Sequence, residues 1–369
     1  MHLPSKQNVI VVVPGRYSGG MNMQAAEDYL AAPANLARSR GFETRVVAIA
    51  APGDVHYSGP RVLHPSIEIE TADRLIGFVR LLVRHRGAIV YANFRRAPSF
   101  LAAWFASRSM IVAHAALPRS RWKRIVLRTA MQRFTMVRAL TSFEVDDLVS
   151  LGIPRERIAL IPLAIDSNFF GAGCSLDDRA TVRRELEIPA SARIVLAVAN
   201  ARKLKRLDTT IDAVALLVQA RKPVKLVIAG DDLLAEEGLP SVAEMADAAG
   251  IRSDVIITGF VEPSVVRKLL QVADVFVNSS ETECQCLAAC EAAAAGVPLC
   301  LSAIPGLKAL FKGALFHEHR DHAQLAANIL SVLDGRYPEG VRERHREMIR
   351  QTCDPHTVDD LLSRQLLGQ

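Results

Sequence analysis

The chain has 369 residues, of which 50% are hydrophobic and 23% charged, and its net charge is +6. This length exceeds what one hydrophobic core usually supports, so two domains are expected. The composition excludes disordered, collagenous and disulfide-scaffold proteins. No apolar stretch has the length of a membrane-spanning helix, and no secretory leader is recognisable. The sequence therefore predicts a cytoplasmic protein whose six cysteines are reduced.

Short apolar runs alternate with longer helical patterns along the whole chain. Continuous Val, Ile and Leu runs are typical of strands buried on both faces of a parallel sheet. Six strands are predicted in the first half, at residues 8–13, 44–50, 88–92, 110–114, 137–141 and 158–162. Six more are predicted in the second half, at 193–199, 224–229, 254–258, 273–278, 297–302 and 314–317. This alternation predicts two doubly wound α/β domains.

The boundary between the domains is predicted in residues 166–192, which hold Gly171, Gly173 and Pro189 among polar side chains. Residues 1–170 then form a basic N-terminal domain. Residues 171–345 form a second domain of the same class. Residues 346–369 are predicted to be a helical segment that returns to the N-terminal domain.

Positive charge is concentrated in one stretch of the N-terminal half. Residues 74–143 contain fourteen Lys and Arg side chains and no Asp or Glu. A field of one sign favours an anionic partner, such as phosphate groups, an acidic membrane surface or nucleic acid. No known nucleic-acid-binding module is visible, so nucleic acid is not predicted as a partner.

The segment 117–138 within this stretch has an amphipathic helical pattern after Pro118. The predicted apolar face consists of Trp122, Ile125, Val126, Thr129 and either Phe134 or Met136. The basic side chains around it are Arg121, Lys123, Arg124 and Arg128. Two interpretations stay open: a helix on an acidic membrane surface, which would suit a lipid-linked or phosphate-bearing acceptor, and a core-facing helix with a solvated basic side.

The segment 273–302 has the strongest functional pattern. A buried strand leads into a polar loop, 279–283, and then into a helix that begins near Gln285 and ends at Gly296. Ligands of open α/β sheets bind at the carboxyl ends of the strands, and the free N–H groups of Cys286 and Leu287 suit a phosphate. Glu291 is placed to accept hydrogen bonds from ribose hydroxyls. The alternative is an ordinary strand–loop–helix unit with solvated acids.

The spacing of Glu283 and Glu291, followed by Ala-Gly-Val-Pro at 295–298, resembles the E-x7-E segment of retaining glycosyltransferases of family 4. Further landmarks of that family occur in the same order, at residues 18–21, 111–114, 141–142, 151–158, 161–166, 205–208 and 257–261. The resemblance covers nearly the whole chain. It implies the GT-B fold, in which two Rossmann-like domains face a cleft.

The resemblance implies transfer of a sugar from a nucleotide-sugar donor to an acceptor hydroxyl, with retention, in glycan, polysaccharide or glycolipid synthesis. In the family, the residue matching Lys205 binds the donor diphosphate and that matching Glu291 holds the ribose. The residue matching Glu283 contacts the transferred sugar, and that matching His114 lies near the reaction centre. His114, Glu283 and Lys205 are the implied catalytic residues.

The implied donor-binding residues are Gly19, Gly20, Lys205, Arg202, Cys286, Leu287 and Glu291. Gly19 and Gly20 match the glycine loop that faces the phosphates and the acceptor. Lysine, helix N–H groups and glycine backbone can stabilise the charge on a leaving diphosphate, so no metal and no other cofactor is expected. The spacing of Cys284, Cys286 and Cys290 lacks the Cys-x2-Cys pairs of common zinc sites.

Two positions depart from the family pattern. Asn200 stands where the family has an arginine, and nearby Arg202 is expected to replace it. Cys-Gln-Cys at 284–286 stands where the family has Gly-Phe-Gly. These departures keep two alternatives open: a nucleotide-sugar epimerase of similar fold, and a non-catalytic protein that binds sugar nucleotides or membranes.

Overall fold

The computed structural model describes residues 8–14, 32–49, 69–72, 74–92, 97–113, 120–173 and 175–369. The chain divides into two compact units. The first comprises Met1–Ala164 together with Pro355–Gln369, and the second comprises Ile165–Asp354. The chain thus passes from the first unit to the second after Ala164 and returns after Asp354, whereas the predicted domain ends are 170 and 345.

Among its described residues, the first unit contains a parallel sheet of seven strands. Its strands are β1 Asn8–Pro14, β2 Glu43–Ile49, β3 Ile69–Ala72, β4 Ile89–Ala92, β5 Arg108–Val112, β6 Met136–Ala139 and β7 Ile158–Leu160. They are ordered β3-β2-β1-β4-β5-β6-β7. The pattern of apolar runs predicted all of them except β3. That strand reads Ile-Glu-Thr-Ala and pairs only with β2, so it lies at an edge, where a continuous apolar run is not required.

Residues 74–143, which contain no Asp or Glu, include several helices of this unit. The described helices before Ala164 are α1 Ala32–Ser39, α2 Arg74–Arg84, α3 Ala97–Ala102, α4 Arg121–Met131 and α5 Ser142–Leu151. Phe78 and Leu82 of α2 pack into the same core as Leu148 of α5. In contrast, Met131 is the one buried residue of α4.

The predicted helix over 117–138 is therefore wrong at its C-terminal end. Phe134 lies beyond the helix and is fully buried in the core, and Met136 begins β6. Neither residue joins an apolar face with Trp122. The chain leaves the helix after Met131 because Phe134 and Val137 belong to the core cluster beneath the helices.

Arg138, at the centre of β6, is 1% exposed although it belongs to the basic stretch. Its guanidinium donates to the Ile161 carbonyl at 2.7 Å, to the Tyr91 hydroxyl at 2.6 Å and to the Pro162 carbonyl. These acceptors join β4, β6 and the chain that follows β7. One of the fourteen positive charges thus has an internal structural role.

The second unit contains a parallel sheet of six strands, all of which the sequence pattern predicted. They are β8 Arg193–Val198, β9 Val224–Ala229, β10 Val255–Gly259, β11 Val275–Asn278, β12 Leu299–Ser302 and β13 Leu315–His317. Their order is β10-β9-β8-β11-β12-β13, the strand order of a Rossmann fold. The two sheets confirm the predicted α/β class.

Nine helices accompany this sheet within the described residues. They are α6 Ser167–Gly171, α7 Leu176–Glu185, α8 Leu207–Gln219, α9 Val242–Ala248, α10 Pro263–Val272, α11 Leu287–Ala295, α12 Pro305–Leu310, α13 His322–Leu333 and α14 Val341–Thr352. After the return to the first unit, α15 (Pro355–Leu362) and the turn Ser363–Leu367 contact α1 and β5. All strands of the second sheet point the same way, so the residues that follow β8, β11, β12 and β13 share one edge.

Candidate functional site

Three neighbouring strands of the second sheet end in buried polar side chains: Asn278 in β11, Ser302 in β12 and His317 in β13. The side-chain Oδ1 of Asn278 accepts hydrogen bonds from the Ser302 hydroxyl at 3.1 Å and from the Ser280 backbone N–H at 3.2 Å. The Asn278 amide nitrogen donates to the Glu283 carboxylate at 3.3 Å. Asn278 therefore fixes the loop that follows its own strand.

Ser279, the first residue of this loop, makes a second set of hydrogen bonds. The Ser279 hydroxyl lies 2.9 Å from the Thr210 hydroxyl of α8 and 3.3 Å from His317 Nε2. Burial lowers the pKa of His317 to about 4, so the imidazole is neutral at physiological pH. The loop is thus held at Ser279 by the uncharged side chains of Thr210 and His317.

Lys205 and Glu283 form an ion pair, with 2.6 Å between Lys205 Nζ and Glu283 Oε1. The Ser280 hydroxyl donates to the same carboxylate oxygen at 2.7 Å. Burial acts to lower the pKa of Lys205, but the Glu283 carboxylate and the nearby Cys286 and Cys284 together act to raise it, and the pKa lies above its ordinary value. Lys205 is therefore a cation at neutral pH.

The short helical turn Lys203–Lys205 carries the lysine. The N–H of Glu281 donates to the carbonyl of Leu204 at 2.8 Å, which ties this turn to the loop before Glu283. The two partners of the ion pair are 78 residues apart in sequence, and this backbone bond sets their distance.

The start of α11 lies immediately after Glu283. The N–H groups of Cys286, Leu287 and Ala288 donate to no other group among the described residues. Together with the helix dipole, three free N–H groups at a helix start favour an anion. Cys286, the residue before the helix, has the left-handed backbone with φ of 55°. This conformation explains why glycine suits this position in the family pattern.

Glu291, in the second turn of α11, is 2% exposed. Its Oε2 atom has no hydrogen-bond partner among the described residues. Burial raises the pKa of this carboxyl to about 7. A buried carboxyl oxygen without a donor is costly, and bound hydroxyl groups would supply the missing hydrogen bonds.

The structure thus brings together most of the predicted C-terminal residues. Lys205 contacts Glu283, and Cys286, Leu287 and Glu291 belong to the helix start that follows.

Arg202 does not join the Lys205–Glu283 pair. Its guanidinium instead pairs with Glu237 at 3.4 Å and Glu236 at 3.8 Å. The side-chain Oδ1 of Asn200 accepts a hydrogen bond from the backbone N–H of Asp231 at 2.9 Å. The predicted residues His114, Gly19 and Gly20 lie outside the described residues.

Sequence reasoning missed Asn278, Ser302 and His317 as functional residues. A signal was present, because three successive apolar runs each end in a polar residue at the predicted carboxyl end of a strand. Side chains at that edge of parallel strands lie next to one another and next to a ligand.

The cysteines near α11 behave as packed thiols. Burial raises the pKa of Cys290 well above its ordinary value, and its Sγ donates to the Gln285 carbonyl at 3.6 Å. Within the part of the chain that the structure describes, no three His, Cys, Asp or Glu side chains are placed to hold a metal ion.

Leu75, Ile76 and Val83 are exposed on α2 of the first unit. A surface of a different kind from the donor-side site is formed by α4 and the chain around Trp104, and we name it the basic apolar face. Its exposed large apolar side chains are Trp104, Trp122, Ile125 and Val126. Arg121, Lys123 and Arg128 are exposed around them, and Arg124 reaches Ser150. Arg133 stacks 4.4 Å from the centre of the Trp104 ring. None of the helices in the described ranges is both long and apolar enough to span a bilayer.

Two family models match the chain. The model for glycosyl transferases group 1 matches residues 178–352, and the model for glycosyltransferase family 4 matches residues 26–169. The first match contains Lys205, Glu283 and Glu291.

Curated relatives are similar to parts of the chain. A D-inositol 3-phosphate glycosyltransferase of Mycolicibacterium smegmatis is 31% identical over 232 residues, which are 60% of this chain and 50% of that protein. An alpha-monoglucosyldiacylglycerol synthase of Streptococcus pneumoniae is 30% identical over 156 residues, 41% of this chain and 34% of that protein. The chain spans at most about half the length of these relatives.

Solved structures share the fold over nearly the whole chain. HepE of Anabaena, solved in complex with UDP-glucose, has a TM-score of 0.78 at 18% identity and covers 98% of this chain and 100% of its own. WaaG, a glycosyltransferase involved in lipopolysaccharide biosynthesis, has a TM-score of 0.70 at 16% identity and covers 98% of this chain and 100% of its own. These likenesses show the GT-B fold, and the two family models show that the chain belongs to the glycosyltransferases of the group 1 and family 4 type.

Proposed function

We propose that the protein transfers a sugar from a nucleotide-sugar donor to an acceptor hydroxyl with retention at the anomeric carbon. The observation that carries the proposal is the arrangement around α11: a buried carboxyl without a hydrogen-bond partner, three free N–H groups and a lysine cation. The relatives' names support it, since they specify glycosyl transfer to inositol 3-phosphate and synthesis of a glucosyldiacylglycerol.

Each group of the site has a role in this proposal. The N–H groups at the start of α11 and the Lys205 ammonium hold the diphosphate, on which negative charge builds as the sugar departs. Glu291 accepts hydrogen bonds from the ribose hydroxyls, which satisfies its free oxygen. Glu283 orients the transferred sugar.

The ion pair between Lys205 and Glu283 distinguishes a complete nucleotide sugar from a nucleoside diphosphate. In the free protein each charge satisfies the other at 2.6 Å. A bound diphosphate then competes with Glu283 for the ammonium, and sugar hydroxyls supply the donors that Glu283 loses. A complete nucleotide sugar therefore compensates both partners, whereas a nucleoside diphosphate compensates only the lysine.

The proposal is tested by titrating a panel of nucleoside diphosphates and nucleosides into the purified protein. Lys205→Ala should weaken binding of the diphosphate by about 10- to 100-fold and leave nucleoside binding unchanged, because a charge-assisted contact is lost. Glu291→Gln should weaken nucleoside and diphosphate binding together. Lys203→Ala, on the same turn with an exposed side chain, is the matched control.

Turnover distinguishes the alternatives. A transferase releases nucleoside diphosphate only with an acceptor or, slowly, with water, whereas an epimerase converts the free nucleotide sugar without an acceptor. Binding without turnover of any donor would indicate a non-catalytic protein. Equal affinities in the wild type and both site variants would contradict the proposed site.

We further propose that the basic apolar face binds an acidic membrane surface, where a lipid-linked or phosphate-bearing acceptor is presented. Trp122, Ile125 and Val126 of α4 are each more than half exposed. Exposed aromatic and aliphatic side chains among cations are typical of proteins that bind the membrane interface. A protein that works in this way is cytoplasmic and peripheral at the inner face of the membrane.

Co-sedimentation with vesicles tests this second proposal. The protein should pellet with vesicles containing acidic lipid at low salt and be released at high salt, because exposed charges are screened. Changing Arg121, Lys123, Arg124 and Arg128 to Glu should abolish pelleting while leaving nucleotide affinity unchanged. Equal pelleting with neutral and acidic vesicles, or none with either, would instead favour a soluble phosphate-bearing acceptor.

A further inference from the structure

The second unit contains a cavity of about 500 Å³ at the edge of the sheet opposite to the site described above. Its walls include the amino ends of three strands, at Arg193, the first residue of β8, at Asp274 before β11 and at Pro298 before β12. The ends of α10, α11 and α13 complete it. Lys205, Glu283 and Glu291 do not line it.

Four guanidinium groups line this cavity, from Arg179, Arg193, Arg342 and Arg346, and Asp274 is its one carboxylate. Asp274 is already engaged, because Arg193 bonds it at 2.9 Å and Arg183 approaches it at 3.8 Å. Among the described residues that line the cavity, no second carboxylate is present to pair with Arg179, Arg342 or Arg346.

Two of these arginines are held in place by helix ends. Arg179 donates to the Gln271 carbonyl at 2.6 Å, at the end of α10. Arg346 donates to the Ala295 carbonyl at 3.1 Å, at the end of α11. Gly296 makes this approach possible, since a Cβ atom there would collide with the Arg346 guanidinium. Each arginine has five N–H donors, so both keep spare donors for a ligand.

Arg342 differs from the other two. It is exposed at the start of α14, one turn before Arg346, and no hydrogen bond or ion pair joins its side chain to another described residue. The arginines that line the cavity carry like charge, and a bound anion removes the cost of their mutual repulsion. The cavity volume lies in the range of small-molecule sites.

We propose that this cavity binds a small soluble molecule carrying several phosphate charges, at a site separate from the donor site. Arg179 and Arg346 provide prepositioned guanidinium groups, and Arg342 closes on the ligand from the rim. The planar guanidinium matches two phosphate oxygens at once, which favours phosphate over a single halide ion.

The test uses the full chain and inorganic tripolyphosphate as the probe, measured by calorimetric titration at low salt. The measurement is made in the Lys205→Ala variant, so that the donor site contributes little. We expect binding that persists in this variant and that weakens about tenfold or more in Arg342→Glu. Arg350→Glu, on the same helix but outside the cavity, should bind as the parent does.

Arg179→Ala is a second variant for the case in which charge reversal at Arg342 disturbs the fold, which the melting temperature without ligand will show. It should weaken tripolyphosphate binding by a similar factor. Loss of all tripolyphosphate binding in Lys205→Ala, or equal affinity in Arg342→Glu, Arg179→Ala and Arg350→Glu, would overturn the proposal.

Discussion

The two units handle charge in opposite ways. In the second unit, Lys205 and Glu283 are partly buried, bonded to each other and supported by Asn278. In the first unit, the basic apolar face presents cations and side chains such as Trp122 and Ile125 to solvent. A site for chemistry requires groups fixed relative to one another, whereas a surface that attracts a partner requires accessible groups. The first kind is recognised from contacts in the folded protein, and the second from composition along the sequence.

Arg138 offers the sharpest test of this contrast, because it is buried whereas most of the other cations described within residues 74–143 are exposed. Arg138→Ala should destabilise the protein by about 4 kcal/mol, since the buried Ile161 carbonyl, the half-buried Pro162 carbonyl and the Tyr91 hydroxyl lose the guanidinium as their donor. Arg121→Ala, at an exposed position, should change stability by less than about 0.5 kcal/mol. Urea unfolding followed by circular dichroism measures both, and equal effects would remove the distinction.

Glu291 tests whether burial of a site carboxyl lowers the stability of the folded protein. Its pKa of about 7 in the folded protein lies above the ordinary value of 4.5. The folded state therefore holds the proton more tightly than the unfolded chain, and stability decreases as pH rises from 4.5 to 7. Glu291→Gln should raise stability by roughly 3 kcal/mol at pH 8 and by almost nothing at pH 4.

Thermal and urea unfolding across this pH range measure the effect. Glu185→Gln, at an exposed position of α7, is the control and should show no such gain. A Glu291→Gln variant whose stability follows the pH dependence of the wild type would show that this carboxyl is not the titrating group.

The same carboxyl predicts a pH-dependent affinity. Ribose hydroxyls donate to the charged form of Glu291, so binding should strengthen as pH rises through about 7. An uncharged nucleoside should bind about tenfold more tightly at pH 8 than at pH 6, and Glu291→Gln should remove this dependence. Titration with the nucleoside avoids the ionisation of a terminal phosphate. A flat profile in the wild type would separate Glu291 from the ribose.

Cys286 is expected to give the smallest effect. Its left-handed backbone is unfavourable for a side chain, so Cys286→Gly relieves roughly 1 kcal/mol of strain and loses a comparable amount of thiol burial. The net change in stability should stay within about 1 kcal/mol. Cys300→Ala loses a buried thiol in β12 without relief of strain and should be the more destabilising change. The reverse order, measured as melting temperatures, would show that Cys286 is not strained.

The fold was largely predictable because buried parallel strands require continuous apolar runs. Twelve of the thirteen strands had such runs, and the edge strand β3 did not need one. The end of α4 was not predictable, because the pattern over 117–138 continues past Met131 and only tertiary packing directs Phe134 to the core.

The candidate site likewise contains residues that the sequence predicted and contacts that it did not. Glu283 and Glu291 were found from their spacing, and Lys205 from its family segment. The direct bond between Lys205 and Glu283 and the lack of a partner for Glu291 depend on contacts between distant parts of the chain. The pairing of Arg202 with Glu237 is of the same kind, since two acidic residues on a following turn compete for a guanidinium assigned to the donor.

The hydrogen bond from the Glu281 N–H to the Leu204 carbonyl makes one amide a reporter for the whole donor site. This amide exchanges its hydrogen with solvent only when the turn carrying Lys205 separates from the loop carrying Glu283. Its exchange rate therefore measures how often the site comes apart in the absence of donor. A nucleotide sugar that bridges the two segments would slow exchange at this single position, and a ligand in the arginine-lined cavity would leave it unchanged.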